Sequence, residues 1–452
     1  MSLRFAVMLV IVPILMIVAL RKPLWGVYST MLLYYFRPGV WQQPSWWQPV
    51  YWITLCTIAG WAMRAKDLRI TPSLVVSGLL LLGMLVSSAT ARVSPDISYD
   101  TTVIILKLVI VQFLVIQLFR HLKDIEYFLW ANILFNLWTL KSVVIITLGS
   151  GDAARANVSA AQGGGSNYLA MTFVMALPLL YFRFLYGKKW EKRFAIALTP
   201  LLLLAVTGTG SRGGVLTLAM IFFFLVVRSR RVMLGAGTAL LFVAMFVAIT
   251  PEAKWERYKT IFAGKEDRGF AAQSRIELWK AGWAMFKESP ITGVGHDNFQ
   301  ILSPRYTGFF AGDTPRPYDP ALEGVKGYTG FVCHNTFIQA LAEGGLIGAI
   351  PFFLLFVMYF VNCYSVRRIH LPEELRLRVW ITSQVMEASM WAFIIASVFG
   401  SHFKIDFLWW YFGASTAFVL VVKDLARRQR PAVGPSAVRT RPWASTSPSL
   451  ES

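Results

Sequence analysis

Long apolar runs constrain the fold of this chain more than any other feature. Thirteen stretches are dominated by apolar residues, and several reach the roughly 17–25 residues that a membrane-spanning helix requires. Only 15% of the residues are charged, against about 25% in an ordinary soluble domain. We therefore predict an all-α polytopic membrane protein with about 12–13 transmembrane helices. The candidate spans are 3–20, 24–36, 49–63, 71–89, 101–119, 125–148, 167–182, 194–208, 213–227, 232–249, 336–364, 379–400 and 405–422.

The basic residues predict the orientation of these spans. The formal net charge is +20, but the Lys and Arg residues lie in short clusters between apolar runs, which argues against a nucleic acid partner. Alternate loops are rich in them, for example 21–22, 64–69, 183–193 and 228–231, and the positive-inside rule places these loops in the cytoplasm. The N-terminus is outside if every run is a span, and it is inside if the first two runs form one re-entrant hairpin.

One loop on the predicted outer side is far longer than the others, mixes both charge signs and contains many aromatic residues. Helical spacing over 275–288 places Ile276, Trp279, Trp283 and Phe286 on one face of a helix. Loops of this length are usually functional, so we predict a helical periplasmic cap. The chain then divides into transmembrane helices at 1–250, the cap at 251–335, further transmembrane helices at 336–425 and a disordered, Pro/Ser/Arg-rich cytoplasmic tail at 426–452.

Cysteine and histidine give little sign of a metal or a disulfide. Cys56 and Cys363 fall within apolar runs, which leaves Cys333 alone outside. The five histidines are scattered, and no pair has the spacing of metal ligands. We predict neither a metal nor a cofactor.

A tight turn on the predicted outer side, Thr207–Gly214, carries Arg212 among glycines. The next span begins there, and the amides and dipole of a helix N-terminus favour an anion. Arginine is also suited to bidentate binding of phosphate. The alternative is an interfacial arginine that extends its charge to the membrane surface.

Two motifs of the cap flank its predicted helix. Arg275 follows Ser274 near the start of the helix, and the segment Pro290–His296, with a Gly-x-Gly turn, follows its end. Taken alone, Arg275 is either a functional cation or the partner of Glu277 or Glu288 in a surface ion pair.

A third cluster, Cys333–Thr336, precedes a span that runs inward, and Glu343-Gly344-Gly345 follows within that span. His334 at this helix end is a candidate general base, because its ordinary pKa is about 6.5 and a positive helix end keeps it neutral. Asn335 could orient the ring. The alternative is a helix-capping cluster that uses Asn335 or Thr336.

Lys107 and Lys141 lie inside spans, in the predicted outer half of the membrane. Charge within the membrane is costly and usually faces a cavity or a partner. Both are therefore candidates for binding an anionic head group. The alternative is a structural ion pair or a side chain extended to the surface, and the same alternatives hold for Glu387 in a late span.

The order of these motifs resembles that of the O-antigen ligase and polymerase superfamily. Gly-Ser-Arg-Gly-Gly, Ser-Arg-x-x-x-Trp, Pro-x-x-Gly-Val-Gly-x-x-x-Phe and His-Asn with a following Glu-Gly-Gly occur in turn between residues 167 and 348. All four lie on the predicted outer side. The N-terminal part also resembles the O-glycosylation ligases that are associated with exosortase systems.

The resemblance implies a metal-independent glycosyltransferase in the inner membrane of a Gram-negative bacterium. Its donor would be a glycan on a polyprenyl diphosphate, and its acceptor would be the lipid A–core oligosaccharide in the periplasm. Arg212 and Arg275 would bind the diphosphate, and His334 would be the base. Asn167 within Gly165-Ser166-Asn167 and Asn335 would be further substrate-binding residues.

Three alternatives stay open at this point. A polymerase of the same superfamily would use a second lipid-linked glycan as acceptor, and a protein O-glycosylation ligase would use a Ser or Thr side chain. A transporter or flippase for lipid-linked glycans belongs to another class. Transporters commonly contain internal repeats with paired broken helices, and no convincing repeat is visible in the sequence.

Overall fold

The computed structural model describes residues 3–36, 48–150, 165–229, 232–250, 252–259, 270–310, 316–317, 319, 321 and 330–429. These residues are almost entirely helical, which confirms the all-α prediction. The cap also contains two antiparallel strands of two residues each, β1 (Phe309–Phe310) and β2 (Arg316–Pro317). The helices are α1 (Leu3–Arg21), α2 (Pro23–Phe36), α3 (Pro49–Ala62), α4 (Pro72–Ala89), α5 (Pro95–Leu118), α6 (Leu122–Ser150), α7 (Ser166–Tyr186), α8 (Lys189–Gly208), α9 (Arg212–Arg228), α10 (Val232–Ile249), α11 (Glu252–Lys259), α12 (Phe270–Glu288), α13 (Asn298–Thr307), α14 (Thr336–Ser365), α15 (Glu373–Ser397) and α16 (Asp406–Arg428).

Seven of the described helices are long and apolar enough to cross a membrane, namely α4, α5, α6, α7, α10, α14 and α15. The protein is therefore a multi-pass membrane protein. Each of the other candidate stretches also forms a helix, and these helices are shorter or carry more charge. The total of about 12–13 spans stays a prediction, because length and composition decide only the clearest cases.

Consecutive helices alternate in direction, so that their loops gather at two ends of the bundle. We call one the basic end; it contains the loops at 63–71, 119–121, 187–188 and 366–372, where Arg69 donates to the carbonyl oxygen of Phe119 at 3.2 Å. We call the other the motif end; it contains the loops at 90–94, 209–211, 289–297, 330–335 and 398–405, where the amide of Arg92 donates to the carbonyl oxygen of Val294 at 3.1 Å. This grouping follows the alternation of basic and less basic loops along the sequence. The side of the membrane that each end faces stays a prediction.

Two helices form the centre of the bundle, α7 and α15. Both are buried on almost all sides. The apolar surface of α7 explains its burial, and the buried carboxylate of Glu387 in α15 is paired with two arginines. The Ser389 hydroxyl of α15 donates to the carbonyl oxygen of Met175 in α7 at 2.9 Å. The first residues of α7 and the last residues of α15 therefore reach the motif end together.

A kink in α14 joins two of the sequence motifs through their backbones. Gly345 has φ +55° and ψ −160°, which interrupts the helix, and the segment 290–295 runs alongside. Four backbone hydrogen bonds of 2.8 to 3.1 Å link this segment to α14. The backbone amides and carbonyl oxygens that the kink releases are therefore satisfied. A Cβ on Gly293 would lie 2.3 Å from the carbonyl oxygen of Glu343. Gly293 and Gly345 therefore need to be glycine, because at these two positions the backbones of the two motifs touch.

The cap packs on the beginning of α14 through a face of α12 that is shifted from the apolar face seen in the sequence and shares Trp279 with it. Ile276 and Trp283 of that predicted face are 36% and 48% exposed. A Cβ on Gly282 would lie only 2.6 Å from Cγ2 of Ile338, so this glycine lets the two helices approach closely. Because α12 and α14 lie so close together, α12 buries a face with small and flexible side chains. The buried residues of this face are Leu278, Ala281 and Met285.

The described residues cover the predicted domains only in part. Within 251–335, residues 260–269 and most of 311–329 lie outside the described part of the chain, and so does 430–452 of the predicted tail. Helix α16 continues to Arg428, beyond the predicted start of the tail at residue 426. The disorder of the tail stays a prediction.

Candidate functional site

The turn between α8 and α9 presents Arg212 at the start of a helix. Gly210 adopts φ +57°, which only glycine takes readily, and the Ser211 hydroxyl caps α9 by accepting from the amide of Gly214 at 2.9 Å. Arg212 is half-buried and forms no hydrogen bond or ion pair with a described residue. Its charge therefore adds to the positive end of the helix dipole without a counter-charge from those residues.

Asn167 holds this turn against the loop between α15 and α16, which we call the bridging loop (residues 398–405). Its Oδ1 accepts from the Ser211 hydroxyl at 2.6 Å, and its Nδ2 donates to the carbonyl oxygen of Phe399 at 3.0 Å. A Cβ on Gly213 would lie 3.1 Å from Cβ of Phe399. Both ends of the Asn167 amide are thus engaged in placing Arg212, and direct binding of substrate by Asn167 stays a prediction.

His334 lies on the other side of the bridging loop. Its backbone amide donates to the Ser401 hydroxyl at 3.2 Å. Two residues later, the Thr336 hydroxyl donates to the carbonyl oxygen of Gly400 at 2.8 Å and accepts from the amide of His402 at 2.8 Å. The bridging loop therefore connects the Arg212 turn with the start of α14, although these segments are far apart in sequence.

The His334 ring is held in its neutral form. Burial first, and the positive charge of Arg275 second, lower the pKa of His334 from 6.5 to about 4. From the sequence we expected the positive end of a helix to keep the ring neutral, whereas in the structure burial and Arg275 lower its pKa. The backbone of His334 has φ +54°, a conformation that is uncommon outside glycine and concentrates at functional sites. A neutral imidazole at pH 7 can accept a proton.

Asn335 caps α14 instead of orienting the His334 ring. Its Oδ1 accepts from the amides of Phe337 and Ile338, both at 3.0 Å. This corrects the expectation that its side chain positions the ring, because the oxygen is already bound by the helix. The capping alternative is the one observed, and a substrate-binding role of Asn335 stays a prediction.

Arg275 acts on His334 while its proposed ion-pair partners are bound elsewhere. Glu288 pairs with Arg92 at 2.5 Å, and Glu277 pairs with Lys280 at 2.8 Å. Helix α12, which carries Arg275, packs against the start of α14 at Gly282 and Ile338, and the charge of Arg275 contributes to the lowered pKa of His334.

The sequence places His402 on the outer side, and we predicted for it a much smaller role than for His334. The bridging loop that carries it was not predicted. The His402 ring is buried, its Nδ1 lies 3.1 Å from the Ser397 hydroxyl, and burial followed by the influence of His334 lowers its pKa to about 3. The two histidines are therefore neighbours. The signal was present in Ser401-His402, a polar pair directly after the predicted span 379–400.

The two membrane lysines are not brought to this site. Lys107 and Lys141 are exposed on α5 and α6, and the Lys141 ammonium lies 5.6 Å from the centre of the Trp138 ring. No described contact joins either to Arg212 or His334, so their role in head-group binding stays a prediction. Glu387 forms ion pairs with Arg228 and Arg367, which is the structural alternative.

The described residues at the motif end combine cationic side chains with a neutral base. Such a set can stabilise negative charge that develops on a leaving group and can accept the proton of an incoming hydroxyl. Within the described ranges, no group of three or more His, Cys, Asp and Glu side chains is arranged to hold a metal ion.

Comparison with known proteins adds the family. None of the curated proteins matches the chain. Residues 197–353 match the family model described as O-antigen ligase, a region that begins in α8, includes the cap and ends in α14. It contains Arg212, Arg275 and His334, whereas Asn167 and the bridging loop lie outside it. The resemblance of the motifs is thereby confirmed, and residues 197–353 of this chain are a domain of the O-antigen ligase superfamily.

Proposed function

We propose that this protein is an O-antigen ligase that transfers a glycan from a polyprenyl diphosphate to the lipid A–core oligosaccharide. The family match supports a ligase or polymerase of glycan chains. The observation that carries the proposal is the arrangement around the bridging loop, with Arg212 on one side and His334, under the influence of Arg275, on the other.

In the proposed reaction, a hydroxyl oxygen of the acceptor attacks the anomeric carbon of the donor sugar. The bond from that carbon to the diphosphate oxygen breaks, and polyprenyl diphosphate leaves with the electron pair. His334 takes the hydroxyl proton, and Arg212 and Arg275 stabilise the charge on the diphosphate. Attack from the face opposite the leaving group inverts the anomeric centre.

The test is transfer by the purified protein in nanodiscs, without ATP. A polyprenyl-diphosphate-linked glycan is supplied together with lipid A–core oligosaccharide, with a second lipid-linked glycan, or with a Ser/Thr peptide. We expect product with lipid A–core oligosaccharide. Product with the second glycan alone identifies a polymerase, and product with the peptide alone identifies a protein ligase.

The matched control for the loss of one positive charge is Arg305→Ala. Arg305 is exposed at the motif end and forms no hydrogen bond or ion pair with a described residue, so its variant should transfer like the wild type while Arg212→Ala does not.

Translocation of the donor lipid in proteoliposomes without any transfer in the assay would identify a flippase and refute the proposal.

The proposed location is the bacterial inner membrane, with the motif end in the periplasm. The cations at the basic end support this orientation. In a chain whose Cys56, Cys333 and Cys363 are replaced by serine, Lys188→Cys and Arg305→Cys each place a single exposed thiol at one of the two ends. An impermeant maleimide applied to whole cells with a permeabilised outer membrane should label the variant at 305 and spare the variant at 188. The reverse pattern contradicts the orientation.

A further inference from the structure

The bridging loop is held from two sides. Its first half, residues 399–402, is bound by Asn167 of α7 and by the start of α14. Its second half contains Phe403 and Lys404, and both contact the segment 296–297 of the cap. The cap therefore has a hold on the loop that connects the two parts of the candidate site.

One carboxylate oxygen of the cap joins three segments of the motif end. Oδ2 of Asp297 accepts from the Lys404 ammonium and from the Thr101 hydroxyl of α5, both at 2.5 Å. Asp297 has φ +58°, a conformation that is uncommon outside glycine and persists where the surroundings hold the backbone. The neighbouring amide of His296 donates to the Ser98 hydroxyl of α5 at 2.8 Å. The carboxylate is therefore fixed on α5 and provides an anchor for Lys404.

A cavity beside this anchor leaves part of the loop without dense packing. Its volume is about 350 Å³. Its lining includes Asp297, Gln339, Glu343, Ser401 and Lys404. Side chains that border a void lack packing partners on that side, so the position of the loop depends on the contacts beside the void. Two of these are the ion pair and the parallel stacking of Phe403 on His296, whose ring centres lie 5.8 Å apart.

We infer that Lys404 is a positioning residue for the transfer reaction, which acts by tying the bridging loop to Asp297 of the cap. The inference rests on the proposed function. No described contact joins Lys404 to Arg212 or His334, and its charge is compensated by Asp297, so it acts through the loop. Lys404 also lies beyond the matched residues 197–353, and Asp297 occupies an unspecified position of the Gly-Val-Gly-x-x-x-Phe motif.

The ion pair should affect the reaction more than the stability of the fold. The side chains of Lys404 and Asp297 are 41% and 28% exposed, and exposed pairs contribute little to stability. A loop beside a void needs only a small preference to choose between nearby positions. Displacement of this loop would move His334 relative to Arg212, and small displacements of reacting groups slow the chemical step.

The first test is steady-state transfer by Lys404→Met, which keeps the aliphatic stem and removes the charge. The kcat should fall about 5-fold, while the KM of donor and acceptor and the thermal unfolding temperature stay unchanged. Lys404→Arg should restore most of kcat, because a guanidinium can also pair with Asp297. The control is Lys280→Met, which removes a cap ammonium that is paired with Glu277 and should leave kcat unchanged. A wild-type kcat in Lys404→Met overturns the inference.

The second test asks whether Lys404 acts through Asp297. Asp297→Asn removes the negative charge and keeps a side chain that tolerates the left-handed backbone. Because either change removes the ion pair, the double variant Asp297→Asn with Lys404→Met should be no slower than the slower single variant. Losses that multiply in the double variant would show that the two residues act separately, which overturns the inference.

The third test measures the loop without any substrate, by hydrogen–deuterium exchange and mass spectrometry. The amides of His334 and His402 donate to the hydroxyls of Ser401 and Thr336, so they report on the attachment of the loop. Peptides that cover these two amides should exchange faster in Lys404→Met than in the wild type and in Lys280→Met. Unchanged exchange in Lys404→Met overturns the inference.

These measurements separate the two proposals. Faster exchange in Lys404→Met, without transfer by the wild type to any acceptor, refutes the proposed function and leaves the tie between cap and loop standing. Transfer by the wild type with a kcat that is insensitive to Lys404→Met overturns the positioning role alone.

Discussion

The two ends of the bundle use arginine in different ways, and α9 shows both within one helix. Its last residue, Arg228, pairs with Glu387, which also binds Arg367 at 2.7 Å. Its first residue, Arg212, pairs with no described residue. Further arginine–carboxylate pairs recur at the basic end, namely Arg120–Asp67, Arg183–Glu191 and Arg378–Glu126.

Among the described residues, the motif end has the ion pairs Arg92–Glu288 and Lys404–Asp297, but it is held mainly by hydrogen bonds of the backbone and of hydroxyl and amide side chains. The segment 290–295 bonds to α14 through main-chain groups, and hydroxyl and amide side chains fasten the bridging loop. Arginine at the basic end therefore stabilises the bundle, while Arg212 at the motif end remains available to a ligand. Five predictions test this contrast, in order of decreasing effect.

Removal of the base should have the largest effect. His334→Ala should slow single-turnover transfer by about 10²–10⁴ and leave binding of the donor lipid nearly intact. His296→Ala, which removes another buried histidine of the motif end, should cost much less. Joint loss of binding and transfer in His334→Ala would assign His334 to the donor site instead.

The two ends of α9 should respond differently to loss of arginine. Arg212→Ala should reduce transfer by about 10²–10³ without lowering stability, and Arg212→Lys should recover only a minority, because an ammonium lacks the bidentate fork. Arg228→Ala should keep transfer and lower the free energy of unfolding by about 1–3 kcal/mol, since Glu387 retains Arg367. Transfer and thermal unfolding are measured side by side; equal responses of the two variants would refute the contrast.

Backbone contact at the motif end should be measurable as stability. Gly293→Ala adds a Cβ that would meet the carbonyl oxygen of Glu343 at a residue with φ +72°. Gly308→Ala is the matched control, with φ +76° and no atom within 4 Å. We expect a loss of about 1–2 kcal/mol for the control from the left-handed backbone, and about 1–3 kcal/mol more for Gly293→Ala. Equal losses in denaturant unfolding would show that the contact contributes nothing.

The pH dependence should reflect the lowered pKa of His334. Because that pKa is about 4 in the folded protein, the ring stays neutral above it, and the acid limb of kcat/KM should lie near pH 4. Since the unfolded ring takes its proton near pH 6.5, the folded state loses stability as the pH falls from 6.5 towards 4. Histidine NMR titration, assigned with His334→Ala, checks this, and Arg275→Ala should raise the pKa. If the pKa of His334 stays unchanged in Arg275→Ala, Arg275 does not act on His334.

Chelation should have the smallest effect. We expect full transfer in excess EDTA, because the cations proposed for the diphosphate are arginine side chains. Activity that is lost to EDTA and restored by Mg²⁺ or Mn²⁺ would show that the diphosphate is held through a metal.

The sequence predicted which residues belong to the candidate site better than it predicted what each of them does. Arg212, Arg275 and His334 were singled out one at a time, and the structure joins their segments. The role of Asn335 was misplaced, because whether a side chain caps its helix or faces a neighbouring ring depends on the backbone at the helix start. The apolar face of α12 read from the sequence coincides with its buried face only at Trp279, because close packing at Gly282 against α14 buries the neighbouring face.

The sequence by itself determined the class of the protein, its helices and the alternation of its two ends. Apolar length, charge distribution and glycine position are local properties, and the membrane as a solvent makes them decisive. Only the tertiary structure decided that the bridging loop connects Arg212 with His334 and that Gln339, Glu343 and Asp297 share one cavity. These residues come from distant segments, and their proximity depends on how the helices pack.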